Sequence, residues 1–111
     1  MSGITSTTVP TMGRVVLYTL DKQDADATNK RRADAQAHLQ EHRENSNGAQ
    51  VHVGNLLMEG DVYPMVIVRA WGTTPSSAVN GQVFLDGNDL LWATSVAVGT
   101  GPRTFAWPTR S

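Results

Sequence analysis

Short runs of β-branched, aromatic and aliphatic residues alternate with Gly, Pro, Asn and Asp through the second half of the chain. Runs of this kind, bounded by turn-forming residues, are typical of antiparallel strands. Near the N-terminus, residues 14–20 have the same composition and predict one more strand. In the second half the pattern predicts strands over residues 62–71, 79–85 and 90–98, a hairpin turn over 86–89, and a short last strand ending at 107–108.

The segment from residue 22 to residue 44 contains no Gly or Pro and predicts a helix. Asp21 precedes it as an N-cap, and Asp24 follows three residues later. One face of this helix holds a single large apolar residue, as its members show: Ala25, Thr28, Arg32, Ala35, Leu39 and His42. We therefore expect the helix either to pack lightly on its own domain or to pack against a partner.

These elements predict the α+β class, as a small antiparallel β barrel or rolled sheet of Src-homology-like size, with one N-terminal strand and one polar helix. An open antiparallel sheet with the helix across one face is the competing architecture. Pro64 indicates an edge strand or the start of a strand, because proline cannot donate to the ladder. Residues 1–13 are predicted to be a flexible arm, with Met12 as an alternative start, and residues 14–111 a single domain.

Charge and composition restrict the function classes. The 111 residues carry a net charge of −1 and contain no cysteine, so the sequence favours neither nucleic-acid binding nor thiolate or disulfide chemistry. No apolar run is long enough to span a bilayer. We expect a soluble protein that is not secreted or is assembled inside the cell, with no cofactor.

Polar clusters offer little catalytic chemistry. His38 and His42 match the H-x-x-E-H pattern of zinc peptidases, but chance pairing on a solvated helix explains them better, and we predict no metal site and no enzyme. Asp86 and Asp89 bracket the predicted turn, where turn geometry accounts for them before cation binding does. The basic cluster Lys30, Arg31 and Arg32 could bind phosphate or an acidic surface, although neighbouring aspartates favour a self-paired helix face.

The tryptophans are the better candidates for contacts. Trp71, Trp92 and Trp107 lie at or near the ends of predicted strands or beside polar residues, and Arg69, Asp86 and Asp89 could add polar contacts to a stacked ligand or partner. A small domain needs most of its aromatic residues in the core. We therefore interpret Trp92 as core first and contact second, and Trp107 equally as either.

Several short motifs resemble a group of small proteins of actinobacterial phages and prophages. They are Gly13-Arg-Val, Tyr18-Thr-Leu20, Asn29-Lys-Arg-Arg32, Glu59-Gly-Asp-Val-Tyr-Pro64, Val79-Asn80, Val83-Phe-Leu-Asp-Gly-Asn-Asp89, Trp92-Ala-Thr-Ser95 and Trp107-Pro108. The resemblance covers nearly all of the chain after residue 11 and implies a phage origin more firmly than a role. Asp86-Gly87, Trp92-Ala-Thr-Ser95 and the late Trp107 also resemble the phage Thoeris anti-defence sponges, which sequester nucleotide signals.

Three hypotheses follow for function. The first is a non-enzymatic accessory protein that binds a phage structural protein, a host protein or a small ligand through its tryptophan-bearing sheet. The second is a virion component, such as a head-decoration or head–tail completion protein. The third is a sponge for a nucleotide signal. Homo-oligomerisation is compatible with each of them.

Overall fold

A computed structural model describes residues 8–41, 56–87 and 89–109, apart from the side chains of residues 38–41. The described residues form five strands and one helix. In chain order they are β1 (Val15–Thr19), α1 (Lys22–Glu41), β2 (Val62–Ala70), β3 (Val79–Phe84), β4 (Leu90–Val98) and β5 (Thr104–Ala106). The predicted strands and the predicted helix are confirmed to within a few residues. His42 and the predicted end of the helix lie outside the described residues, as does the side chain of His38.

The strands close into a barrel in the order β1-β2-β3-β4-β5. Strands β1 to β4 form an antiparallel meander, and β5 closes it by pairing antiparallel with β1 and parallel with β4. The prediction of a small barrel is confirmed, and the competing open sheet is wrong. Closure required β5, whose three residues gave a weak sequence signal.

Strand β2 is paired on both sides, so the interpretation of Pro64 as an edge residue is wrong. The alternative reading, that proline marks the start of a strand, fits the pairing with β3. That pairing begins at Met65, opposite Val83, one residue after Pro64. The missing amide hydrogen therefore falls beyond the end of the β2–β3 ladder.

Alternate residues of the strands fill the barrel interior, as expected for a small closed barrel. The largest fully buried side chains include Val16, Tyr18, Leu20, Met65, Ile67, Val79, Val83, Val96 and Phe105. Gly81 is buried in close contact with β2, because a Cβ atom there would lie 2.7 Å from the Val66 carbonyl oxygen and 2.6 Å from Met65 Cγ. No larger residue fits this position without a shift of the backbone.

Helix α1 begins as the sequence predicts. The Asp24 amide donates to Asp21 Oδ1 at 2.6 Å, which satisfies one of the free amides of the first turn. The Asp24 carboxylate in turn accepts a 2.5 Å hydrogen bond from the hydroxyl of Tyr18. Burial, with this hydrogen bond as a second cause, raises the pKa of Tyr18 well above the usual value for tyrosine.

The predicted face of α1 contacts the barrel in its first part only: Ala25, Thr28 and Arg32 are buried, while Ala35 of the same face is exposed, as are all of residues 33–37. Asn29 adds a reciprocal pair of hydrogen bonds with the main chain of Leu57, at 2.8 and 3.0 Å. The first half of the helix is therefore held mainly by polar contacts. Within the described residues, no helix combines the length and apolarity that crossing a bilayer requires.

The predicted N-terminal arm is described only from residue 8. In that part Pro10 is fully buried, and the Gly13 amide donates to the Ile67 carbonyl at 2.7 Å. The division into an arm and a domain at residue 13 stays a prediction.

Candidate functional site

Side chains that point away from the barrel interior form two rows across the meander. The pairing registers align the first row as Val15, Val66, Gln82 and Trp92. In the second row Leu17 lies opposite Pro64, and Phe84 lies opposite Leu90. The outside of a soluble barrel is usually polar, because the alternation of strand residues places polar side chains toward water. Here most of these positions are apolar.

We call this surface the outer apolar face. Gln82 is the polar residue of its first row, and its apolar members are Val15, Leu17, Val62, Pro64, Val66, Phe84, Leu90 and Trp92. The five best exposed of the large side chains (Val15, Val62, Phe84, Leu90 and Trp92) retain between 44% and 51% of their accessible surface. None of the members is charged. Contiguous exposed apolar surface of this kind is characteristic of interaction sites on soluble proteins.

Trp92 belongs to this face, so the interpretation of Trp92 as a core residue is wrong. On β4 the inward positions next to it are Leu91 and Ala93, which pair with Val83 and Gly81. Leu90, Leu91 and Trp92 are all apolar, so the sequence does not reveal which parity faces inward. The barrel register does, because it places the small Ala93 inside and the indole outside.

A second surface cluster consists of Arg69, Trp71 and Asn80. The Arg69 guanidinium lies 4.0 Å from the centre of the Trp71 ring, a cation–π contact. Asn80 Oδ1 accepts hydrogen bonds from Trp71 Nε1 at 3.1 Å and from the Ser95 amide at 2.9 Å.

Asn80 lies beside two irregularities of the sheet, one in the pairing of β3 with β2 and one in the pairing of β3 with β4. The pairing register shifts on its β2 side between Ile67 and Arg69, and on its β4 side between Ala93 and Val96. Ser95 has a φ of 52°, in the left-handed region, which is typical of a bulge residue. The Asn80 side chain therefore satisfies an amide that the bulge removes from the ladder.

The predicted basic cluster on α1 contacts the predicted acidic pair, which lies between β3 and β4. Arg32 Nε donates to Asp89 Oδ2 at 2.9 Å, and Arg32 Nη2 donates to the Asp86 carbonyl at 2.7 Å. Arg31 Nη2 contacts the other oxygen of Asp89 at 2.5 Å. Lys30 pairs instead with Asp34 on the same helix, at 2.8 Å. These contacts join α1 to the turn between β3 and β4.

Trp107 lies on another side of the barrel, next to β1. Its ring is 6.2 Å from that of Phe105 in an edge-to-face arrangement, and the Arg14 guanidinium lies 5.0 Å from its centre. It is partly buried against the core. Its Nε1 atom is buried, with no hydrogen-bond partner among the described residues.

The six predicted contact residues therefore occupy four places and do not form one site. Four exposed members of the outer apolar face were not predicted as contact residues from the sequence: Val15, Val62, Phe84 and Leu90. The sequence does contain an indication of this face, because apolar residues occupy both the odd and the even positions of a strand, as in Leu90-Leu-Trp92. A strand with one buried face should alternate, so this departure could have indicated a second covered face.

Within the described residues, no group of three or more His, Asp or Glu side chains is arranged to hold a metal ion. Comparison with known proteins adds no relative: no family model, no curated protein and no solved structure matches the chain.

Proposed function

We propose that this protein is a non-enzymatic binding module that docks on a protein partner through its outer apolar face. The observation that carries the proposal is the exposure of Phe84, Leu90 and Trp92 side by side on paired strands. Covering aromatic and aliphatic surface of this kind is a main source of binding energy at protein interfaces. The absence of charge from the face favours an apolar protein surface as the partner over a polyanion.

The resemblance to phage and prophage proteins suggests which partner this is. We infer that the partner is a phage structural protein or a host protein in the host cytoplasm. If the partner is a phage structural protein, this chain is itself a component of the virion. We also infer that the barrel is of the Src-homology-like type, which the antiparallel meander closed by a short fifth strand supports.

A nucleotide sponge is less well supported. A sponge needs cationic groups for phosphate and a free aromatic surface for the base. The outer apolar face has no cation, the Trp71 ring is covered on one side by Arg69, and Arg31 and Arg32 are engaged by Asp89.

The test compares capture of partners by the wild type and by a variant with Phe84→Ser and Val62→Ser. Both residues are exposed and point outward, so the variant should fold while losing the apolar contact. Val98→Ser is the matched control, since Val98 is also an exposed valine but lies at the end of β4 that pairs with β5 and is not a member of this face. We expect a partner that the wild type and the control retain and the double variant loses.

Binding is then measured with the purified partner by calorimetry, and mass spectrometry of purified phage particles separates a virion component from an accessory protein. Equal partner binding by the double variant and the wild type would show that the face is not the docking site.

A further inference from the structure

Within the described residues, one edge of strand β4 is largely unpaired. On one side it pairs with β3 from Leu90 to Val96, but on the other side its pairing with β5 is limited to Ala97 and Val98. In the described part of the chain, no strand pairs with the β5 side of residues 90–95. Open edges with free amides and carbonyls are templates for pairing with another strand.

The phase of the ladder identifies which groups point outward from this edge. The Leu85 amide donates to the Asp89 carbonyl, so Asp89, Leu91 and Ala93 direct their main-chain groups toward β3. Leu90, Trp92 and Thr94 therefore direct theirs toward the open side.

Both ends of the edge are closed by contacts of the chain itself. At the N-terminal end of the edge, the Leu90 amide donates to Asp89 Oδ1 at 2.9 Å, and the Leu90 carbonyl accepts from Arg31 at 3.4 Å. At the C-terminal end of the edge, the strand is interrupted by the bulge, where the Ser95 amide donates to Asn80 Oδ1. Between these ends, the main-chain groups of Trp92 and Thr94 have no partner strand among the described residues. We call these groups the open window.

This window is complementary to itself. If two copies of β4 lie antiparallel with a two-fold axis beside Ala93, Trp92 of each copy faces Thr94 of the other. Each of these pairs then exchanges two main-chain hydrogen bonds, since both residues direct an amide and a carbonyl outward. The segment from Leu90 to Thr94 contains no charged residue and no proline, so two copies meet without repulsion. Charged residues and prolines, which protect many edge strands from pairing, are therefore missing from this segment.

We propose that β4 pairs with β4 of a second copy of this chain, Trp92 opposite Thr94, to form a symmetric dimer. This goes beyond the proposed function, because the dimer uses the edge of the sheet and leaves Phe84 and Val62 exposed on its surface. Pairing also makes the outer apolar faces of the two copies continuous, which doubles the docking surface.

The test measures the molar mass of the wild type by light scattering across a wide range of protein concentration. We expect a concentration-dependent dimer whose Trp92 and Thr94 amides exchange slowly with deuterium. Thr94→Pro removes one outward amide, and Trp92→Lys adds a charge beside the edge, so both should be monomers. Phe84→Lys is the matched control: it places the same charge on β3, which is paired on both sides, and should remain a dimer.

A wild type that stays monomeric at all concentrations would overturn the proposal. So would a dimer that survives Trp92→Lys, or one in which the Trp92 and Thr94 amides exchange as fast as exposed amides. If Thr94→Pro does not fold, Trp92→Lys and the exchange measurement decide. Loss of partner binding by Phe84→Lys with the dimer intact concerns the proposed function alone.

Discussion

Replacing Arg32 by Ala removes the side chain that joins α1 to the turn between β3 and β4. Only 7% of the Arg32 side chain is exposed, and its guanidinium contacts the Asp89 carboxylate at 2.9 Å and the Asp86 carbonyl at 2.7 Å. The variant leaves both acceptors partly desolvated. Arg31 on the same helix also contacts Asp89 but is 51% exposed, which makes Arg31→Ala a control with the same change of charge.

The size of the effect follows from burial. Removing one partner of a buried ion pair costs about 3–5 kcal/mol of unfolding free energy, because the other charge loses its compensation. Asp89 is still 20% exposed and retains Arg31, so we expect the lower end of that range, about 3 kcal/mol, for Arg32→Ala. For the exposed Arg31 pair, screening by water limits the expected loss to about 0–1 kcal/mol.

Urea unfolding followed by far-ultraviolet circular dichroism gives both free energies. A double-mutant cycle with Asp89→Asn isolates the Arg32–Asp89 contact from other effects of each substitution. If Arg32→Ala destabilises the protein no more than Arg31→Ala does, the guanidinium is not the link between the helix and the barrel. The helix would then be held by Ala25, Thr28 and Asn29.

Three further predictions concern the core, the outer face and pH. Gly81→Ala should lower the unfolding free energy by about 1–3 kcal/mol, since its Cβ would meet the Val66 carbonyl, and wild-type stability would refute this close approach. Trp92→Ala, measured on dilute protein, should cost about 1 kcal/mol against about 3–5 kcal/mol for the buried Phe105→Ala, and equal costs would mean that Trp92 is a core residue. Because the pKa of Tyr18 is raised in the folded protein, its contribution to stability is complete below the unfolded pKa of about 10 and declines as pH rises above that value. Unfolding free energies should therefore fall less steeply above that pH in Tyr18→Phe, and identical pH profiles would contradict the assignment.

Much of the architecture could be predicted because it depends on neighbours in sequence. The hairpin of β3 and β4, the Asp21 cap and the strand from Leu90 to Val98 follow from local conformational preferences, and the structure has them as expected. The candidate site was harder to predict. Trp71 and Arg69 lie two residues apart and stack as a pair, but the partners of Trp92 come from other strands.

The sequence by itself determined the elements, the lack of cysteine chemistry and the polar character of α1. Only the tertiary structure decided which side of each strand faces water. The bulges beside Asn80 shift the pairing register, and apolar residues at both parities of Leu90-Leu-Trp92 leave the inward side undetermined until β3 is in place. The burial of Arg32 was equally beyond the sequence, since its carboxylate partner lies 57 residues away along the chain. Barrel closure brings these distant segments together, and it turns Trp92 from an expected core residue into part of an exposed apolar face.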